Sequence, residues 1–135
     1  HEMGSALQLV NDLIPRVSSI AGFFRTGALT GDKAKLDQLS SNLSLNARKM
    51  LKGSGAISDF EAKTLENSAS ALKGSRMSEN AITAELKKIR GVINANAGMP
   101  VSVQVVQNGK VIDEGQLTRD DIFDAASQGY QIIYN

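Results

Sequence analysis

Apolar residues at Leu7, Val10, Leu13, Ile14, Val17, Ile20 and Phe24 recur at mostly three- and four-residue steps, the spacing of one face of a helix. Pro15 falls inside this pattern. Its missing N–H, and the clash of its ring with the carbonyl of Asn11, predict a kinked helix or two short ones. Gly27 and Ala28-Leu29-Thr30-Gly31 form the first predicted connection. A second helix is predicted from about Asp32 to Lys52, with Leu36, Leu39, Leu43, Ala47 and Met50 as a narrow apolar seam. Lys49 and Lys52 stand in its last turn, where cations complement the helix dipole. A third helix carries Phe60, Leu65, Ala69 and Leu72 before Gly74, and its serine and alanine content predicts close approach to a neighbour. A fourth starts near Ser78, presents Ile82, Leu86, Ile89 and Ile93 as one stripe, and stops at Gly98 and Pro100.

Between the second and third helices lies Lys52-Gly53-Ser54-Gly55-Ala56-Ile57-Ser58-Asp59-Phe60-Glu61. Gly53 and Gly55 can take positive φ and so end a helix. Ser58 and Glu61 have the spacing of a capping box, which predicts that the third helix starts after Ser58.

At Pro100 the period changes. Val101, Val103 and Val105 alternate with Ser102 and Gln104, the signature of a half-buried strand. Asn108-Gly109 signals a tight hairpin, since a type I′ turn needs positive φ at both positions, and Lys110-Val111-Ile112-Asp113 returns as the second strand. Thr118-Arg119-Asp120-Asp121 resembles a second capping box, with Leu117 and Ile122 as a hydrophobic staple. A short helix to Gln128, a stop at Gly129 and a third strand over Tyr130–Tyr134 complete the pattern. The strands Val101–Val106 and Tyr130–Tyr134 are predicted to pair, with Ile122 and Phe123 covering Val103, Val105 and Ile132. The class is therefore α+β: a helical region of four elements (6–98) followed by a β-β-α-β unit (99–135), packed together as one domain. Residues 1–5, His1-Glu2-Met3-Gly4-Ser5, read as a cloning remnant outside the fold, and the chain as a fragment of a longer protein.

With 135 residues the chain can bury about two thirds of its unfolded surface. Only six aromatics are present, and no tryptophan, so the core must be aliphatic. The absence of cysteine excludes disulfides and thiolate metal sites. No apolar run approaches the ~18–20 residues of a membrane span. The single histidine is His1, which leaves histidine-based acid–base and triad chemistry without a residue to carry it. Gly53-Ser54-Gly55 lacks the Lys-Ser/Thr ending of a phosphate loop. Asp120, Asp121 and Asp124 read as helix-start residues, and Asp113-Glu114 as a solvated pair at the hairpin exit. No catalytic residue, metal or cofactor is assigned, and the expectation is a non-enzymatic interaction role.

Charge separates the two regions. Residues 1–98 hold 13 Lys or Arg against 9 Asp or Glu, a net of +4, and residues 99–135 hold 2 against 5, a net of −3. Arg48, Lys49, Lys52, Lys87, Lys88 and Arg90 are candidate contacts to a nucleic-acid backbone, provided folding brings them together. A helix-turn-helix reading is opposed by Glu61, Lys63, Glu66 and Asn67 on the would-be recognition helix. The seam at Leu36, Leu39, Leu43 and Met50 can serve either the chain's own core or a partner helix.

The run Met50-Leu51-Lys52-Gly53-Ser54-Gly55-Ala56-Ile57-Ser58-Asp59-Phe60-Glu61 resembles helical segments of tailed-bacteriophage virion proteins. In those, a Lys-Gly-x-Gly turn precedes a Ser/Thr-Asp/Glu-x-Glu helix start. The serine start at Met77-Ser78-Glu79-Asn80 and the stripe at Leu86-Lys87-Lys88-Ile89-Arg90 extend the resemblance over about residues 43–97. It implies a structural or assembly domain of a tail or ejected internal protein, located in the virion and partnered by other virion proteins or by itself. The alternative it implies is a DNA-contacting module of a packaging or ejection protein.

Overall fold

Pro15 breaks the first helix where the pattern places the break. The computed structural model describes residues 2–26, 31–74 and 77–135. In it α1 (Glu2–Leu13) passes through a 3₁₀ turn, Ile14–Arg16, into α2 (Val17–Thr26). The tighter turn accommodates a residue that can neither donate nor tolerate the carbonyl four positions back. The predicted connection at 27–30 lies outside the described residues. The opening residues, expected to lie outside the fold, take part in it: α1 begins at Glu2, and Met3 belongs to the core.

Three longer helices come next: α3 (Gly31–Met50), α4 (Ala56–Gly74) and α5 (Glu79–Asn96). Both α1 and α4 pack against α3 and against α5, so α3 and α5 stand diagonally across a four-membered bundle. The seam Leu36, Leu39, Leu43 and Met50 is buried in this interior, so it serves the chain's own core and is closed to a partner helix. Small residues let α3 and α4 approach, as expected from composition. The buried Ser40 Oγ donates to the carbonyl of Ala69 at 2.6 Å. Helix α5 starts where its cap signal lies, with the Ser78 hydroxyl accepting from the Ala81 N–H at 3.1 Å. It ends with Gly98 at φ +90° while Met99 N–H reaches back to the Asn94 carbonyl, a Schellman cap.

The rest is the expected β-β-α-β unit: β1 (Val101–Gln107), β2 (Lys110–Leu117), α6 (Arg119–Ser127) and β3 (Gln131–Tyr134). The sheet is antiparallel in the order β2-β1-β3. Asn108 and Gly109 have φ of 52° and 79°, the type I′ geometry that suits the strand twist. A bulge between Val105 and Val106 leaves Ile112 without a direct partner. The Thr118 hydroxyl accepts from Asp121 N–H at 3.3 Å, so the second capping signal holds at its Thr118 half.

The inner sheet face carries Val103 and Tyr134 into the core, and Ile122 of α6 joins them. Phe123 departs from expectation. It is half-buried, and its ring meets Phe60 of α4 edge-on, with centroids 5.7 Å apart. Adjacent helix positions point about 100° apart, so Ile122 takes the core position while Phe123 ties α6 to α4. Tyr134 packs on α5 at Gly91. A Cβ there would come within 2.9 Å of the ring Cε2 and closer still to Cδ2.

One exposed guanidinium fastens the 3₁₀ turn to the start of α3. Arg16 Nε donates to both oxygens of Asp32, at 2.9 and 2.8 Å. This bond, aided by one from Ser19 and opposed by burial, holds the Asp32 carboxyl below its ordinary value of 3.8. A depressed folded value means that the pair contributes stability above pH 3.8, lost as pH falls through the folded value. Asp32→Asn should therefore flatten the acid limb of a stability–pH curve followed by urea unfolding, leaving the slope at neutral pH unchanged. Gly91→Ala should lower stability by about 1–3 kcal/mol through overpacking, outweighing the roughly 1 kcal/mol that alanine gains in a helix. In a Tyr134→Ala background the same substitution should become neutral or stabilising, and a persistent loss would show that the ring is not the obstacle.

Candidate functional site

Helix α3 ends at Met50, three positions before Gly53, and Gly53 and Gly55, at φ of 86° and 102°, turn the chain towards α4 rather than cap α3. The capping box predicted at Ser58 and Glu61 does not form. Helix α4 starts at Ala56, and its first helical bond runs from Asp59 N–H to the Gly55 carbonyl. Gly55 occupies the cap, which puts Ser58 and Glu61 one and two turns into the helix. Three residues apart, they share one face, and that face looks into the molecule.

Glu61 is only 3% exposed, and a carboxylate so far out of water needs compensation. Two residues supply it. Arg119, the first residue of α6, donates through Nη2 to Oε1 at 2.5 Å and through Nε to Oε2 at 3.3 Å. Asn96, the last residue of α5, donates through Nδ2 to Oε1 at 3.0 Å. Asn96 also accepts from Lys52 N–H at 3.0 Å and donates to the Lys52 carbonyl at 3.2 Å. Ser58 Oγ donates to that same carbonyl at 3.1 Å. One connected polar network thus joins the end of α3, the start of α4, the end of α5 and the start of α6. It is the junction between the helical bundle and the β-β-α-β unit.

Beside the junction a cleft of about 220 Å³ opens between α4, α5, α6 and β3. Phe60, Tyr130 and Tyr134 wall it, and Asn67 and Lys88 bring amide and ammonium groups to it. Burial, together with the nearby Glu61 carboxylate, raises the Tyr134 phenol well above its ordinary value, so it stays a neutral hydroxyl throughout the physiological range. Phe60, Phe123, Tyr130 and Tyr134 are four of the six aromatics in the chain, and this boundary concentrates them.

The basic candidates lie at two different helices. Arg48, Lys49 and Lys52 end α3, whereas Lys87, Lys88 and Arg90 lie along α5, the helix diagonal to it. Arg48 pairs with Asp59 at 2.7 Å, Lys88 approaches Glu85 at 3.5 Å, and Arg90 donates to the Asn135 carbonyl at 3.4 Å. Lys49 and Lys52 are exposed, and Lys87 borders a second groove, against β3. Among the described residues no three carboxylates or imidazoles converge so as to hold a metal ion. No described helix is long and apolar enough to cross a membrane.

Sequence reasoning missed Asn96 and Arg119. A signal for Arg119 exists: it is the one arginine in residues 99–135, set inside an acidic stretch and displaced from the apolar pattern. Asn96 has only its place at the end of the α5 stripe. Because Glu61 stays buried when its partner goes, Arg119→Met should cost about 3–5 kcal/mol, the range for breaking a buried pair. Glu61→Leu combined with Arg119→Met should recover a large part of that loss in chemical denaturation. Equal losses in the single and double variants would mean that charge compensation does not hold this junction.

No family model matches the chain, and no curated protein or solved structure matches it.

Proposed function

We propose that the chain is a non-enzymatic assembly domain of a bacteriophage virion protein, in which the bundle is a rigid mount and the β-β-α-β unit is the face presented to partners. The observation that carries this reading is the Glu61–Arg119–Asn96 network. It ties the start of α6 to the ends of three bundle helices at once, which gives that face a defined orientation. The five carboxylates of residues 99–135 (Asp113, Glu114, Asp120, Asp121 and Asp124) are all exposed and form no ion pair with any described residue. A surface of one sign selects partners and speeds encounter. The phage assignment rests on the resemblance across the Gly53–Gly55 corner and α5.

The DNA-contacting alternative has less support, because its six basic residues are divided between diagonal helices and Arg48 is engaged by Asp59. Purified particles of the parent phage should contain the chain, and a lysine-reactive cross-linker should join Lys110 of β2 to another virion protein. Absence of the chain from particles would sink the assembly reading. A salt-sensitive mobility shift with duplex DNA, abolished by replacing Lys49, Lys52, Lys87 and Lys88, would put the DNA reading in its place.

A further inference from the structure

Strand β2 is an outer strand, and the hydrogen-bond phase of the sheet says which of its groups are open. Asn135 N–H donates to the Ser102 carbonyl at 3.1 Å. The main chain of Ser102, Gln104 and Val106 therefore faces β3, and by alternation that of Val101, Val103, Val105 and Gln107 faces β2. Their partners Leu117, Gly115, Asp113 and Lys110 point inward. The N–H and C=O groups of Val111, Glu114 and Gln116 are left on the open edge. Directly beside this edge, between β2 and α6, runs a groove of about 390 Å³. Val105, Ile112 and Leu117 give it an apolar floor, Asp113, Asp121 and Asp124 rim it, and no lysine or arginine lines it. The bulge leaves Ile112 48% exposed there.

We propose that β2 and this groove are the docking site for an extended basic segment of another virion protein, which adds a fourth strand along β2. The proposal rests on the assembly reading and names its surface and partner chemistry. Strand addition satisfies the open backbone groups and gives side-chain selectivity at alternate positions. Every second side chain of the added strand lies over the groove, where lysine or arginine meets Asp113, Asp121 and Asp124. The groove reaches Gln128 at the C-terminal end of α6, where the negative end of the helix dipole also favours cations. A second copy of the chain is the wrong occupant. Pairing β2 with itself antiparallel brings Asp113 and Glu114 close to their own copies, and like charges across strands are destabilising.

The test uses the whole chain, labelled with ¹⁵N, and two blocked hexapeptides, one alternating lysine and valine, the other glutamate and valine. At low salt the lysine peptide should shift the amides of Val111, Glu114 and Gln116 and those along α6, and added salt should weaken it. Replacing Asp113, Asp121 and Asp124 together by asparagine should weaken binding about tenfold or more, a loss equivalent to one decade in Kd. If that variant does not fold, Asp124→Asn alone decides, by a loss of affinity with the same shift pattern. No binding of the lysine peptide, equal binding of the glutamate peptide, or shifts confined to the bundle would overturn the proposal while leaving the assembly reading to the particle experiment. Concentration-dependent broadening of the β2 amides in the absence of peptide would assign the edge to a second copy and overturn it too.

Discussion

Removing a carboxylate from water costs far more than one hydrogen bond returns, so a buried glutamate dictates what must surround it. At Glu61 the requirement is met by residues 35 and 58 positions away in sequence. The guanidinium of Arg119 can reach only if α6 begins beside α4, and the Asn96 amide can reach only if α5 ends there. Satisfying one side chain therefore fixes where the chain leaves the bundle and where the second half of the β unit returns to it. Such a pair contributes less to net stability than to the uniqueness of the arrangement, because a displaced β unit leaves Glu61 charged and uncompensated.

Packing takes up the placement that the network begins. Tyr134, at the far end of β3, rests on α5 where Gly91 removes the Cβ that would hold it off. Ile122 sends α6 into the same core, and Phe123 contacts Phe60 on the α4 side. A glycine in a helix interior is unfavourable by itself. Here it lets an aromatic ring lie against a helix backbone, so the cost in α5 is offset in the sheet. The β unit is thus held at two points by different means, charge at Arg119 and contact at Tyr134.

Much of this is legible in the sequence wherever a feature is decided within a few residues. Pro15, Ser78, Asn108-Gly109, Thr118 and the glycines at 53, 98 and 129 each set local geometry, and each predicted element lies close to its place. The errors arise where a local signal has a competitor. Ser58 and Glu61 match a capping box, but Gly55 at positive φ takes the cap, and the pair turns to Lys52, Asn96 and Arg119. Phe123 has the apolar character the sheet core needs, yet the register of α6 gives that position to Ile122. The six basic residues make one set in a linear count, and the diagonal placement of α3 and α5 divides them. The capping outcome is decided between Gly55 and Ser58, whereas the partners of Glu61 and the place of Phe123 depend on which helices become neighbours.

The same neighbour relations separate the chain's two electrostatic characters. Arg119 is drawn inward to neutralise Glu61, which leaves Lys110 as the one cation of residues 99–135 outside that network. The acidity of the β unit is therefore more fully exposed than its net charge of −3 suggests. The arginine that would have balanced it is the residue that builds the junction. Locking the fold and charging its outer face come from one exchange of partners: Glu61 takes the cation, and Asp113, Asp121 and Asp124 are left to solvent along an edge whose backbone is open. A strand edge of that kind resists pairing with itself while remaining complementary to a basic strand, so the interaction that makes the domain rigid also sets what its surface can receive.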